Sequence, residues 1–234
     1  MKLSILMPVY NEEDRVANAV KQALDVDYPC EIELVVVNDG SHDTTADVLA
    51  RIDDPRLRVI THPRNQGKGA AIKTAVGNAA GEYMVILDAD LEYDPQDIPR
   101  LLQPVLDGHA EVVYGNRTFG SHSAYSFWYV MGNKAVTTAA NVLYNSYIGD
   151  LETCFKLMPV RLYRELDIRS RGFGMEAEVT GKLLRRRIRP YEVPISYRAR
   201  SREEGKKITW RDGVKALLIL SRERVRPVRP LPGA

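Results

Sequence analysis

The sequence predicts an α/β fold with a mostly parallel central sheet flanked by helices. In the first half of the chain, apolar strand-like runs alternate with segments of helical spacing. This alternation is typical of βαβ units, whose strands lie parallel. One apolar run ends in three acids at alternate positions, Asp88, Asp90 and Glu92. Because ligands in parallel sheets bind beyond the carboxyl ends of the strands, these acids indicate a candidate site.

The individual elements of the first half follow from the spacing of apolar residues. Strands are predicted at residues 3–9, 32–37, 57–61 and 83–87. Helices are predicted at residues 12–24, 44–52, 70–80 and 98–106. Asn11 is the expected N-cap of the first helix, and Ser41 or Asp43 is the expected N-cap of the second.

The second half is predicted to complete the same sheet. Its expected elements are a strand at 111–114, a helical excursion at 118–148, a return to the sheet edge at 149–158, a helix at 175–184 and a strand at 189–197. An apolar run at 214–220 is too short to cross a bilayer and could form part of an amphipathic helix. We expect one domain over residues 1–221 and a disordered tail, rich in Arg and Pro, over residues 222–234.

The composition is that of an ordinary soluble globular protein, with 44% hydrophobic and 27% charged residues. Two cysteines, Cys30 and Cys154, give neither a disulfide framework nor a metal-binding spacing, so we expect free thiols in a reducing cytosol. No signal peptide and no apolar run of about 18 residues is expected.

Charge is distributed unevenly along the chain although the net charge is only +2. Residues 1–150 carry 12 Lys and Arg against 21 Asp and Glu, whereas residues 151–234 carry 21 against 10. This division predicts a metal-using acidic site beside a surface that meets an anion. Nucleic acid is not the expected partner, because the basic half has no helix-turn-helix and no interleaved stacking residues.

Missing motifs argue against several classes of site, including NTPase and dinucleotide-binding sites. The chain has no Gly-rich phosphate loop followed by Lys-Ser/Thr, no Gly-x-Gly-x-x-Gly after the first strand and no zinc spacing. The four histidines, His42, His62, His109 and His122, are scattered and are interpreted as loop or surface residues. The acids after the fourth strand remain, and carboxylate oxygens suit Mg²⁺ or Mn²⁺ held together with substrate phosphates.

Four segments occur in an order that resembles the family 2 glycosyltransferases of the GT-A nucleotide-diphospho-sugar transferase fold. They are Pro8-Val9-Tyr10-Asn11-Glu12-Glu13, Val35-Val36-Val37-Asn38-Asp39-Gly40-Ser41-His42-Asp43, Asn65-Gln66-Gly67-Lys68-Gly69 and Asp88-Ala89-Asp90. Later segments resemble the dolichyl-phosphate mannose synthase and polyprenyl-phosphate glycosyltransferase group. They are Gly115-Asn116-Arg117, the run from Asp150 to Lys156, Glu192-Val193-Pro194-Ile195 and the basic stretch at 200–206. The resemblance covers about residues 3–215.

The resemblance implies a role for individual residues of this chain. The residues expected to bind the nucleotide sugar are Pro8, Tyr10, Glu12, Val37, Asp39, Lys68, Asp88, Ala89, Asp90, Arg200 and Lys206. Asp90 and Glu92 are expected to hold the divalent metal, with Glu92 standing where close relatives often have Gln. Arg117 and Lys134 are expected to contact the acceptor phosphate, and Asp90 and Arg117 are the expected catalytic residues.

The activity implied is inverting transfer of a hexose from GDP-mannose or UDP-glucose to polyprenyl (dolichyl or undecaprenyl) phosphate, with Mg²⁺ or Mn²⁺ as cofactor. An acceptor phosphate is already anionic at neutral pH and needs little or no general base, which agrees with the lack of an obvious His or Glu that could act as one. The implied location is peripheral, on the cytoplasmic face of the membrane, where a membrane-embedded partner could be present. The basic carboxy-terminal third would attach the protein there.

Two other functions stay open at this point. Transfer to a hydroxyl of a glycan or small molecule would need a catalytic carboxylate, which Glu152 or Glu176 could supply. A noncatalytic nucleotide-sugar-binding subunit would keep the donor site without the reaction. Metal-dependent donor hydrolysis separates that subunit from either enzyme.

Overall fold

A seven-stranded sheet forms the centre of this computed structural model, which describes residues 1–118, 120, 127–172, 174–199 and 210–227. The strands are β1 (Lys2–Val9), β2 (Glu31–Asn38), β3 (Leu57–Thr61), β4 (Tyr83–Ile86), β5 (Val113–Asn116), β6 (Lys156–Pro159) and β7 (Tyr191–Pro194). Their order across the sheet is β3-β2-β1-β4-β6-β5-β7. All neighbouring strands are parallel except β6, which is antiparallel to both β4 and β5. The predicted mostly parallel α/β fold is therefore confirmed.

The central strands form because their apolar runs are buried on both faces. Leu3, Ile5 and Leu6 of β1 and Leu34 to Val37 of β2 are completely buried. Such near-continuous apolar runs are typical of parallel strands covered by helices on both sides. β1 lies between β2 and β4, so the chain reverses its direction of travel across the sheet at this strand. A ligand cleft is expected at such a switch point, beyond the carboxyl ends of the strands.

Eight α-helices are present in the described residues. They are α1 (Val16–Leu24), α2 (Thr45–Ala50), α3 (Lys68–Asn78), α4 (Ile98–Leu106), α5 (Phe127–Tyr144), α6 (Val160–Glu165), α7 (Met175–Arg185) and α8 (Trp210–Val225). The predicted N-cap of α1 was wrong, because the helix starts at Val16. Asn11 instead has a left-handed backbone (φ 52°), and its Oδ1 accepts a hydrogen bond from the amide of His42.

Three predictions for the second half need correction. The return at 149–158 is not a sheet edge, because β6 lies inside the sheet with Leu157 paired to both neighbouring strands. The helical parts expected within 118–148 form one helix, α5. The short helix α6 was not predicted, because β6 and α6 follow each other without a polar turn.

Helix α8 carries the apolar run predicted at 214–220. Ala216 and Leu220 pack against α5 and α7, whereas Leu218 is exposed. The helix runs to Val225, so the predicted tail boundary at 222 falls inside it, and residues 228–234 lie outside the described residues. No helix in the described ranges is long and apolar enough to cross a membrane.

Candidate active site

A cleft of about 360 Å³ lies at the carboxyl ends of β1, β2 and β4. Its lining residues come from the turns that follow these strands, from the start of α3 and from the segments around β6 and α7. They are Pro8, Val9, Tyr10, Glu12, Asp39, Asn65, Gly67, Lys68, Ala71, Asp88, Ala89, Asp90, Glu92, Tyr93, Arg117, Glu152, Cys154, Gly172, Glu176 and Tyr197. Arg117, after β5, and Tyr197, after β7, complete a cleft that brings together residues from eight separate parts of the sequence.

Most of the residues that the family resemblance assigns to the site line this cleft. They are Pro8, Tyr10, Glu12, Asp39, Lys68, Asp88, Ala89, Asp90, Glu92 and Arg117. Val37 does not, because its side chain is completely buried in the core between strand and helices. Lys134 is exposed on α5 and is not among the described cleft residues. Arg200 and Lys206 lie outside the described residues.

Asp39 is buried at the end of β2 and fixes the loop that precedes α3. Its carboxylate accepts hydrogen bonds from the amides of Gln66, at 3.0 Å, and Gly67, at 2.7 Å. Nδ1 of His62 lies 2.6 Å from Oδ1 of Asp39, and Nε2 lies 2.9 Å from the hydroxyl of Thr74. The interpretation of His62 as a surface residue was wrong. Its amide donates to the Asn38 carbonyl, which directs the buried side chain toward Asp39.

The loop before α3 needs glycine because another segment packs directly on it. A Cβ atom at Gly69 would lie 2.1 Å from the Ser170 carbonyl oxygen, and one at Gly67 would lie 2.5 Å from that of Arg171. Gly67 also has a positive φ of 95°, which side chains rarely adopt. The covering segment is itself held by Glu178 of α7, which accepts the Ser170 amide at 2.7 Å. The loop is thus clamped between Asp39 and this segment.

Lys68, the first residue of α3, joins two acidic parts of the cleft. Its Nζ lies 2.8 Å from Asp88 and 2.9 Å from Glu176. Burial alone would lower the pKa of Lys68, but the nearby carboxylates outweigh it and hold the pKa well above its usual value. Lys68 is therefore a permanent cation that fixes Asp88 and Glu176 relative to each other.

The carboxylates after β4 have the chemistry of a hard-cation site. Seven carboxylate residues and two cationic residues are among the described residues that line the cleft. Glu92 is buried, and its Oε2 accepts a hydrogen bond of 2.5 Å from the hydroxyl of Tyr197. Burial and the charge of Glu92 both raise the pKa of Tyr197, so this hydroxyl remains a donor. A hydrogen bond of this kind orients a carboxylate that ligates a metal.

The described residues contain no group of three or more metal-ligating side chains. A magnesium site does not require one, because Mg²⁺ is usually held by one or two carboxylates together with substrate phosphates and water. The excess of carboxylates in the cleft fits a cation, since an anionic diphosphate would otherwise meet unbalanced negative charge. Asp90 and Glu92, which both line the cleft, therefore fit the predicted metal ligands.

Arg117, which lines the cleft, is fixed by an ion pair. Its Nε and Nη2 donate to the two oxygens of Asp150 at 2.6 and 2.8 Å. Asn133 of α5 donates to the same carboxylate, and the guanidinium carbon lies 4.9 Å from the centre of the Tyr197 ring. The Nε edge of Arg117 is thus occupied by Asp150, which does not line the cleft. Only the remaining Nη donors can meet a phosphate there.

Glu152 and Glu176 form a second acidic group in the floor of the cleft. Burial, followed by repulsion from Glu176, raises the pKa of Glu152 to about 7. Oε1 of Glu152 and Oε2 of Glu176 are buried and have no hydrogen-bond partner in the described part of the chain. Lys156 lies beneath them, and its Nζ donates to the carbonyls of Leu151 and Thr153. Desolvation lowers the pKa of Lys156 to about 8.

Sequence reasoning missed several residues that shape this cleft. Tyr93 and Tyr197 line it, yet an isolated tyrosine carries no signal in a single sequence. His62 was missed because its partner, Asp39, lies 23 positions away. A signal was available for His62, because it directly follows the strand predicted at 57–61, and Asp39 lies just after the strand predicted at 32–37.

Residues 4–167 match the family model described as glycosyl transferase family 2. The chain belongs to glycosyl transferase family 2. The matched range contains every cleft residue contributed by the turns after β1, β2 and β4, as well as Arg117 and Glu152.

Curated relatives of this family 2 chain include sugar transferases. It is 30% identical over 207 residues to the low-salt glycan biosynthesis hexosyltransferase Agl6 of Haloferax volcanii, covering 86% of this chain and 49% of that protein. It is 35% identical over 113 residues to the undecaprenyl-phosphate 4-deoxy-4-formamido-L-arabinose transferase of Proteus mirabilis, covering 46% and 35%. The chain thus spans only about half, or less, of the length of these two relatives.

Solved structures of similar fold confirm the predicted GT-A architecture. Glucosyl-3-phosphoglycerate synthase from Mycobacterium tuberculosis, in complex with Mn²⁺, UDP and glucosyl-3-phosphoglycerate, matches with a TM-score of 0.73 at 18% identity. That match covers 97% of this chain and 81% of the synthase. S. aureus TarS in complex with UDP-GlcNAc matches with a TM-score of 0.65 at 17% identity, covering 95% and 66%.

We predict that His62→Ala lowers stability more than the matched change His109→Ala. His109 is exposed, whereas removal of His62 deletes one hydrogen bond of the buried Asp39 carboxylate and the bond to the Thr74 hydroxyl. The expected loss is ~1–3 kcal/mol, the cost of leaving a buried polar group unsatisfied. Urea denaturation of both variants measures it. Equal losses below about 0.5 kcal/mol, the size of ordinary surface effects, would show that His62 does not support Asp39.

We also predict that Glu152→Gln stabilises the protein at pH 7.5. The pKa of Glu152 is about 7 in the folded chain against an ordinary value of 4.5, so the folded state binds this proton more tightly than the unfolded state. Stability is therefore lost as the pH rises from about 4.5 to 7. Glutamine removes that loss, by at most ~3 kcal/mol from the size of the pKa shift.

The stabilisation by Glu152→Gln should shrink toward zero near pH 4.5. Glu176, Asp150, Arg117 and Lys156 all act on this carboxyl, and Lys156, with a pKa of about 8, begins to lose its proton only toward pH 7.5. Glu111→Gln, at an exposed position, serves as the control and should show no such pH dependence. An equal gain in stability at pH 4.5 and at pH 7.5 would contradict a raised pKa of Glu152.

Proposed function

We propose that this protein transfers a hexosyl group from a nucleotide-diphosphate sugar, GDP-mannose or UDP-glucose, to polyprenyl phosphate with inversion of configuration. The observation that carries the proposal is the position of Arg117 in the same cleft as Asp88, Asp90 and Glu92. A donor diphosphate at the acids and an acceptor phosphate at Arg117 would lie on opposite sides of the transferred sugar. The names of the curated relatives that use undecaprenyl phosphate support this acceptor.

The proposed reaction depends on a divalent cation, Mg²⁺ or Mn²⁺, held by Asp90 and Glu92. When bound, the ion would offset the negative charge that develops on the leaving diphosphate. Tyr197 would keep the Glu92 carboxylate oriented through its hydrogen bond. Lys68 would hold Asp88 in place beside the donor, because it is bonded to Asp88 and to Glu176 at once.

Arg117 would bind the acceptor phosphate through the Nη donors that Asp150 leaves open. The ion pair with Asp150 and the contact with Tyr197 fix the plane of the guanidinium before any acceptor arrives. This preorganisation reduces the cost of positioning the attacking oxygen. An ionised phosphate can attack the anomeric carbon without a general base, from the side opposite the diphosphate.

A second candidate function, transfer to a hydroxyl group, is favoured by one observation. Glu152 lines the cleft with its pKa raised to about 7, the range that suits a general base at neutral pH. A hydroxyl acceptor would need such a base, whereas a phosphate acceptor would not. The role of Glu152 therefore separates the two functions.

For location, we propose peripheral attachment to the cytoplasmic face of the membrane. Helix α8 exposes Val214, Leu217 and Leu218, and the neighbouring helix α5 exposes Phe127 and Trp128 at its start. The carboxy-terminal third also supplies the excess of Lys and Arg that attracts anionic lipid. Apolar residues beside basic ones are typical of interfacial helices.

We predict that Asp90→Asn lowers sugar transfer to polyprenyl phosphate by ~10²-fold or more, the scale of losing a main electrostatic group. Arg117→Ala should lower transfer as strongly while leaving the affinity for the nucleoside diphosphate close to that of the wild type. Transfer is measured with a set of nucleotide sugars, polyprenyl phosphate and Mn²⁺, and affinity is measured by calorimetry.

The control is Arg161→Ala, whose side chain is 80% exposed on α6 and should leave transfer unchanged. Full activity in EDTA would rule out the metal. Transfer to hydroxyl acceptors but to no polyprenyl phosphate would favour the second candidate function. An Arg117→Ala variant that loses diphosphate affinity but transfers normally at saturating donor would contradict the acceptor role.

We predict that the protein floats with anionic liposomes at low salt and is released at high salt, because surface charges are screened within ~8–10 Å at physiological ionic strength. Leu218→Glu should weaken flotation, whereas Leu106→Glu, on the exposed side of α4, should not. Equal partitioning with neutral and anionic lipid at both salt concentrations would reject electrostatic attachment. No flotation at all would favour a soluble acceptor or a membrane-embedded partner.

A further inference from the structure

Two buried carboxylate oxygens in the floor of the cleft lack a donor. Oε1 of Glu152 and Oε2 of Glu176 are buried without a hydrogen-bond partner in the described part of the chain, although both residues line the cleft. Buried polar atoms in folded proteins nearly always have a partner, and exceptions indicate a functional constraint or a bound molecule. For an ionised carboxylate the missing partner is a donor, because this form only accepts hydrogen bonds.

The protein fixes the carboxylate of Glu176 and the backbone that carries Glu152, although it leaves these two oxygens unpaired. Glu176 lies in the first turn of α7, and its other oxygen accepts Nζ of Lys68. The backbone on either side of Glu152 is fixed by Lys156, whose Nζ donates to the carbonyls of Leu151 and Thr153. Lys156 is completely buried, so its side chain has no room to move away from these carbonyls. Rigid placement of unpaired acceptors is what recognition of a ligand requires.

The neighbours of the pair indicate which part of a ligand it meets. Glu176 shares Lys68 with Asp88, on the side of the acids that follow β4. Glu152 is close enough to both Glu176 and Arg117 for their charges to act on it. The pair therefore lines the same cleft as the acids of the proposed diphosphate site and the arginine of the proposed phosphate site. A phosphate would be repelled there, whereas a hydroxyl group could donate to either oxygen.

We propose that Glu152 and Glu176 recognise hydroxyl groups of the transferred sugar and select donors that carry free hydroxyls at two positions. This inference rests on the proposed transfer from a nucleotide-diphosphate sugar, but it does not depend on the identity of the acceptor. A sugar that lacks one of these hydroxyls would leave a buried carboxylate oxygen unpaired. Sites built around such hydrogen bonds reject analogues that lack the donor group far more strongly than apolar pockets do.

The test separates recognition of the sugar from recognition of the diphosphate. Calorimetry with Mn²⁺ gives the Kd of UDP, UDP-glucose, GDP and GDP-mannose for the full chain and its variants. In Glu152→Ala and Glu176→Ala, the ratio of the Kd of the nucleotide sugar to that of the bare diphosphate should rise by ~10-fold or more. Glu111→Gln, on the surface, should leave the ratio unchanged. Glu176→Gln keeps an acceptor for Lys68 and replaces the alanine variant if that variant does not fold.

Deoxy donors identify the hydroxyls concerned. Wild-type protein should bind a nucleotide sugar that lacks the recognised hydroxyl ~10-fold or more weakly than the parent sugar, and each alanine variant should lose that discrimination at one position. Glu152→Gln should keep most of the affinity, because its amide oxygen still accepts a hydrogen bond.

Several results would overturn the inference. Equal loss of affinity for the diphosphate and for the nucleotide sugar would make the pair a general support of the cleft. Unchanged binding with turnover lost in Glu152→Gln would make Glu152 a general base instead. Wild-type protein that binds no nucleotide sugar of the set would also overturn it. Normal sugar discrimination without transfer to polyprenyl phosphate would contradict only the proposed acceptor.

Discussion

The concentration of carboxylates at one end of the sheet is the constraint on which the rest of the site depends. Buried or half-buried carboxylates are costly unless each has fixed donors or a cation. Asp39 has loop amides and His62, Asp88 has Lys68, Glu92 has Tyr197 and Asp150 has Arg117. These donors come from distant parts of the chain, so satisfying the carboxylates also holds the turns after the strands in place. The electrostatics and the architecture of the cleft thus depend on the same contacts.

The topology of the sheet brings the segments that make these contacts to one edge. Parallel strands bring the ends of β1, β2 and β4 to one edge, where their turns can share donors. The antiparallel strand β6 then runs in the opposite direction between β4 and β5. The segment before it, with Asp150, Glu152 and Cys154, therefore reaches the same edge from the other half of the chain. A seventh parallel strand at that place would have carried this segment to the opposite end of the sheet.

The parts of this arrangement that depend on local pattern could be predicted from the sequence. The apolar runs gave strand 57–61 and helix 98–106 with the observed bounds, and the acids after β4 indicated the site. Features that depend on distant packing could not be predicted. Val37 has the same local signature as a cleft residue, yet it belongs to the part of β2 that is buried on both faces, so its side chain lies in the core. The direction of β6, the role of His62 and the pairing of Arg117 with Asp150 all depend on contacts made only in the folded chain.

The balance of charge, taken together with the proposed reaction, leads to an expectation about the segment at 200–207. Both cations of the described cleft are already paired, Lys68 with two carboxylates and Arg117 with Asp150. Neither pair carries net positive charge, so their remaining donors can orient an anion but cannot attract it from solution.

The proposed reaction brings two anions into this cleft, a diphosphate and a phosphate. A divalent metal offsets only part of that charge. We expect further cations from elsewhere in the chain. The candidates in the sequence are Arg200, Arg202, Lys206 and Lys207, which follow β7 and Tyr197, although Glu203 and Glu204 reduce the net charge of residues 200–207 to +2. Because that attraction would act through charge rather than fixed geometry, exchanging lysine for arginine in this run should matter less than removing the charge.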